Sequence, residues 1–191
     1  MPKPRLVAFA GSLRQDSYNW KLVRVAAAAA QAAGAEVQVL TPADLEMPLL
    51  SEDLERDQGM PAAARRFKRA LVESQGYLIA SPEYNSSLSS ALKNAIDWAT
   101  RAEAPGEPPL LAFQGKAAGL LAASPGLFGG LRGLNHLTSI LINLKVLVHP
   151  DQRALGRAHE AFDANGQLKD AAVQAHIAKI AAAVVQLCQR A

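Results

Sequence analysis

The 191-residue chain predicts a three-layer α/β domain, a five-stranded parallel sheet with helices on both faces. Three observations carry this prediction. Short apolar segments alternate with helical stretches five times along the chain. Parallel strands need helical crossovers that cover both sheet surfaces, so the strands should be mostly apolar, as nearly all of these segments are. Half of the residues are hydrophobic and 19% are charged, which suits one sizeable core, so residues 1–191 are expected to form a single domain.

Arg5 to Ala10 is a mostly apolar strand ending in Gly11-Ser12, and an alanine-rich helix runs from there to Gly34. Glu36 to Leu40 alternates polar and apolar residues like a strand near a sheet edge. Thr41 to Pro61, with three prolines and Gly59 among acidic residues, is expected to be a long loop around an apolar knuckle, Met47-Pro48-Leu49-Leu50. A helix follows at Ala62 to Glu73, a third strand at Gly76 to Ala80, and, after a lead-in at Asn85 to Ser90, a helix from Ser90 to Arg101. Ala102 to Pro109 must be loop, because it holds Pro105, Gly106, Pro108 and Pro109. Then come a strand at Ala117 to Ala123, a Gly-rich turn at Ser124 to Gly130, a helix at Leu131 to Leu144 and a short strand at Val146 to Val148. The last helix sets Ile177, Ile180, Val184 and Leu187 at helical spacing. Five such strands fit the flavodoxin-like order 2-1-3-4-5, whose ligand crevice lies at the carboxyl ends of strands 1 and 3.

Composition narrows the function. The single cysteine, Cys188, excludes a disulfide within the chain and a multi-cysteine cluster. The four histidines show no metal-binding spacing, so no metal site is expected. A formal net charge of +3 without a basic run points away from nucleic acid. The longest uncharged stretch, around Ala117 to Gly130, is interrupted by Ser124, Pro125 and glycines, and the start lacks a signal-like apolar run. A cytoplasmic protein without a membrane partner is expected.

Chemistry concentrates in three loops at strand ends. In the first, Gly11 to Asn19, helix N-terminal N–H groups, the hydroxyls of Ser12 and Ser17 and the forked charge of Arg14 suit a monophosphate. An ordinary turn with Ser17 or Asp16 as helix cap is the alternative. Neither G-x-G-x-x-G nor a triphosphate P-loop occurs. In the second, Ser81 to Ser87, Pro82 stiffens the backbone, Tyr84 offers an aromatic surface, and main-chain N–H groups through Asn85 can meet a flat heterocycle. For Tyr84, and for Trp98 in the next helix, packing and ring contact both stay open. Asn94 and Asp97 are expected to be solvated or capping groups. In the third, Ser124 to Gly133, glycines admit a planar ligand and the following helix start supports negative charge on it.

The motifs G-S-L-R-x-x-S-x-N, S-P-E-Y-N-S-S before L-K-N-A-I-D-W, and S-P-G-x-x-G-G-x-R together resemble the NAD(P)H-dependent FMN reductases, a group that includes bacterial quinone, chromate and azo reductases. The resemblance runs from Arg5 to about Pro150. It implies an FMN-dependent oxidoreductase, dimeric or tetrameric, with NADPH or NADH as co-substrate. By position, Ser12, Arg14, Ser17 and Asn19 match the phosphate loop. Pro82, Glu83, Tyr84 and Asn85, with the turn holding Ser124, Gly126, Gly129 and Gly130, match the ring-binding positions. The chain departs from the pattern at Ser89-Ser90, where relatives commonly have Pro-Gly, and at Thr138, where an arginine is often found. Either Ser89 or Ser90 can then cap the helix.

The expected activity is hydride transfer from NAD(P)H to FMN, then two electrons to a small-molecule quinone, azo, nitro or metal-oxyanion acceptor by a ping-pong mechanism. The flavin does the chemistry, so no side chain is assigned as catalytic. A flavodoxin-like electron carrier and a non-catalytic FMN-binding protein are the alternatives, although the strong acidity usual for a carrier is missing. A homodimer or homotetramer is expected, because the Met47 to Leu50 knuckle and Trp98 offer apolar surface for an interface.

Overall fold

The computed structural model describes residues 2–190. Strand β1 (Arg5–Ala10) leads into helix α1 (Tyr18–Ala32), then β2 (Glu36–Val39), α2 (Glu52–Gln58), α3 (Ala62–Val72) and β3 (Gly76–Ala80). A hairpin of β4 (Glu83–Tyr84) and β5 (Ser87–Leu88) precedes α4 (Ser90–Ala99) and β6 (Ala117–Ala123). The chain ends with α5 (Leu131–Asn143), β7 (Leu147–Val148), β8 (Arg153–Leu155), α6 (Ala158–Ala161) and α7 (Ala171–Arg190).

The main sheet runs β2-β1-β3-β6-β7, with β8 also on β6 and every pairing parallel. This is the expected order, with one change: the fifth position is shared by two short strands. β7 pairs with Ala117 and Ala118 at the start of β6, and β8 with Leu121 to Ala123 at its end.

Alternation along each strand builds the two half-cores. Leu6, Ala8, Leu78 and Leu121 face α1 and α7, where Leu22, Val23, Ile177, Ile180 and Val184 are buried. Val7, Phe9, Ile79 and Leu120 face α3, α4 and α5, where Phe67, Leu92, Ile96, Leu134 and Leu137 are buried. Helix α7 is long and apolar enough to cross a membrane by composition, yet its apolar face packs on α1, β3 and β6.

Three expectations need correction. The Thr41 to Pro61 segment is not all loop: a 3-10 turn, Pro42–Leu45, is closed by a capping box between Thr41 and Asp44, and α2 is capped by the Ser51 hydroxyl, which accepts from the Leu54 N–H. No residue of α2 is buried, so it has no apolar stripe to betray it; the Glu55 carboxylate, paired with Arg101 at 2.6 Å, ties it to the body. Trp98 does not present interface surface. It is fully buried, with its indole N–H donating to the Pro48 carbonyl at 2.7 Å. Asn94 is also buried rather than solvated, accepting from the Leu50 N–H at 2.8 Å and donating to the Pro48 carbonyl at 2.9 Å. Together they pin the knuckle to α4, and only Pro48 and Leu49 stay exposed on it. Asp97 pairs with Lys93 one helical turn away.

Candidate functional site

The three loops leave the carboxyl ends of β1, β3 and β6, which are neighbours in the sheet, so the topology brings them to one edge. This is the switch point, where β1 leads outward to β2 and β3 continues the other way.

Loop 1 is built around buried Ser12 and Ser17. The Ser17 hydroxyl caps α1 by accepting from the Asn19 N–H at 3.2 Å, which realises the cap and leaves the loop before it open. The Ser12 hydroxyl accepts from the Arg14 N–H, and its carbonyl accepts from the Trp20 indole at 3.2 Å. The N–H groups of Leu13, Gln15, Asp16 and Ser17 find no acceptor among the described residues, so they are free to donate to a ligand or to water. Arg14 is exposed, reaching only the Asp16 carbonyl at 3.3 Å.

Asn19, expected among the phosphate residues, is committed elsewhere. Its buried amide donates to the Ala123 carbonyl and accepts from the Ala123 N–H, both at 2.9 Å. β3 ends at Ala80 and no longer supplies a ladder partner there, so the side chain replaces one. Asn19 is thus the clamp between loop 1 and loop 3.

Loop 2 contains the β4–β5 hairpin, unforeseen in the sequence. Its two turn residues, Asn85 and Ser86, have φ of 50° and 67°, the doubly left-handed geometry of a two-residue hairpin turn. The turn leaves the Asn85 and Ser86 N–H groups without acceptors among the described residues. Pro82 is buried, whereas Tyr84 is 52% exposed, which favours an open ring over packing there. The Glu83 carboxylate is also committed: it accepts from Arg132 Nε at 2.9 Å and from the Gly133 N–H at 3.0 Å. Burial works against its charge, but the Gly133 N–H and the Arg132 guanidinium outweigh that and hold its carboxyl below the usual range. Ser89 caps α4 through the Leu92 N–H and donates to the Gly11 carbonyl, so it also links loop 2 to loop 1. The serine that replaces the common proline therefore supplies a tether that proline could not make.

In loop 3 the Ser124 hydroxyl accepts from the Gly126 N–H at 3.2 Å. Gly130 caps α5 at φ 94°, and a Cβ there would lie 2.7 Å from that of Ala122, so only glycine fits. Gly129 packs as closely on the Leu155-Gly156 backbone, which anchors the loop on β8. The Leu127, Phe128 and Gly130 N–H groups have no acceptor among the described residues. Thr138, at the second departure, accepts from Gln152 at 2.9 Å.

Loops with unpaired N–H donors at the carboxyl ends of adjacent parallel strands are the arrangement with which doubly wound proteins bind a nucleotide. The chain belongs to the NADPH-dependent FMN reductase family, whose pattern matches residues 4–160. It is 38% identical to an NAD(P)H-dependent FMN reductase of Pseudomonas aeruginosa over 87% of this chain and 85% of that protein. It is 35% identical to a quinone reductase of Escherichia coli over 76% of this chain and 73% of that one. The flavoenzyme NAD(P)H:(acceptor) oxidoreductase of Paracoccus denitrificans superposes with a TM-score of 0.81, covering 98% of both chains at 29% identity. The chain is therefore an NAD(P)H-dependent oxidoreductase that uses FMN. Its residues fit that cofactor: loop 1 offers unpaired N–H donors and two hydroxyls for a phosphate, and loops 2 and 3 offer N–H donors for a ring edge.

Proposed function

We propose that the protein reduces quinones with two electrons from NADH or NADPH by a ping-pong mechanism, with FMN held across the three loops. FMN, when bound, supplies the hydride chemistry. Loop 1 holds its phosphate through the Ser12 to Ser17 backbone, the Ser12 and Ser17 hydroxyls and the exposed charge of Arg14. Pro82, Tyr84 and Asn85 with Ser124, Gly126, Gly129 and Gly130 frame the ring, Glu83 serving through its main chain. The start of α5 favours negative charge on the ring edge it faces. Asn19, Ser89 and Glu83 fix the loops relative to one another. The observation that carries this reading is the convergence of three donor-bearing loops on one sheet edge.

One crevice serves two substrates, so the nicotinamide must leave before the acceptor enters. Azo, nitro and chromate acceptors belong to the same proposal as secondary substrates, as does action in the cytoplasm. Anaerobic titration tests it. Purified protein should carry a flavin spectrum, bleach on adding NADH or NADPH, and regain colour on adding 1,4-naphthoquinone after the oxidised nicotinamide is removed. Parallel initial-rate lines should accompany this. Intersecting lines would overturn the ping-pong order, and a protein that takes up no FMN would overturn the cofactor site.

A further inference from the structure

A cleft of about 710 Å³ opens beside loop 2, between the β4–β5 hairpin, the start of α4 and the outer face of α5. Tyr84 and Asn85 line it, and both belong to the candidate ring site, so the cleft adjoins that site. Its walls combine apolar surface from Leu88 and Ile140 with a polar group that no step above uses, His136. The His136 Nδ1 lies 3.0 Å from the Ser87 hydroxyl. With that hydroxyl donating to Nδ1, the imidazole carries its proton on Nε2, and this N–H meets no acceptor among the described residues. Lys93 on the α4 side is already paired with Asp97, so His136 joins the Asn85 N–H and the Tyr84 hydroxyl as polar groups of the cleft without a partner among the described residues, and it alone projects from α5.

We infer that His136, oriented by Ser87, donates a hydrogen bond to a carbonyl oxygen of the quinone acceptor. Quinone reduction adds a hydride equivalent, carrying both electrons, from the reduced cofactor and one proton from solvent. Negative charge builds on one oxygen before that proton arrives, and a donor at that oxygen strengthens as it does. The inference rests on the quinone reading above and adds the residue that recognises the substrate.

Binding of 1,4-naphthoquinone to the oxidised, FMN-loaded protein tests it without turnover, read as a change in flavin fluorescence. His136→Ala should raise the naphthoquinone dissociation constant about five- to tenfold, the effect of one lost hydrogen bond. His136→Gln keeps an N–H donor and should recover most of the affinity; Ser87→Ala should show a smaller loss in the same direction. The FMN dissociation constant, expected at the parent value in all three, checks that each variant is folded. Unchanged naphthoquinone binding in His136→Ala, or equal losses in the Ala and Gln variants, would overturn the inference while leaving the quinone reading intact. A parent protein that oxidises NAD(P)H with ferricyanide but neither binds nor reduces naphthoquinone would overturn both.

Discussion

Arg14 and Asn19 sit five residues apart in one loop and do opposite work. Arg14 is exposed and makes one long hydrogen bond to its own loop, so its charge is free for a ligand. Arg14→Ala should weaken FMN binding roughly 10- to 150-fold, the equivalent of about 1.5–3 kcal/mol for a charge-assisted contact, with little change in stability. Riboflavin lacks the phosphate and should bind parent and variant alike; equal FMN affinities would place the phosphate elsewhere. Asn19, by contrast, is buried and bonded on both sides to the Ala123 backbone. Asn19→Ala strands a buried N–H and a buried carbonyl at about 1–3 kcal/mol each, so it should destabilise the protein in urea by about 2–6 kcal/mol. Weaker FMN binding should follow from the loosened loops; parent-like stability would show that the clamp is dispensable. Nothing in the motif separates the two roles, because a polar residue at a helix start reads alike whether its partner is a ligand or a strand end 104 residues away.

At the scale of elements, what the sequence announces is what repeats. β1, α1, β3, α4, β6, α5 and α7 were legible because each carries an apolar run or stripe and a stop signal. The elements that escaped lack the apolar run or stripe, even where a glycine stop is present, as Gly59 is after α2. Helix α2 has no buried face, the hairpin strands have two residues each, and β8 has three. The hairpin matters most, since it shapes loop 2 and the cleft; its Asn-Ser turn is a weaker signal than Asn-Gly. Glu83 joins this hairpin to α5, and its carboxyl is held below the usual range. A depressed carboxylate contributes stability above its unfolded pKa and loses it as pH falls through the folded one. Parent protein should therefore exceed Glu83→Gln in stability above about pH 5, and the gap should close as pH falls through about 4 and below. Thermal melts of the two across pH 3–7 would check this; a constant gap would mean that the ion pair with Arg132 contributes nothing that protonation can remove.

At the scale of the whole molecule, the surface left outside the two half-cores bears on assembly. The burial of Trp98 removes one of the two reasons for expecting a dimer, yet it strengthens the other. Trp98 and Asn94 hold Pro48 and Leu50 by hydrogen bonds, so Leu49, 75% exposed, is displayed on a fixed backbone. A side chain presented that way loses less backbone freedom on association than one on a flexible loop, so its burial counts more fully toward binding. A homodimer is expected at micromolar concentration, and Leu49→Ser should raise the fraction of monomer without changing the absorbance of bound FMN. Analytical ultracentrifugation of the FMN-loaded parent and the variant reads both quantities at once. A parent that sediments as a monomer with FMN bound would rule out obligatory assembly, and a variant as dimeric as its parent would move the interface off the knuckle.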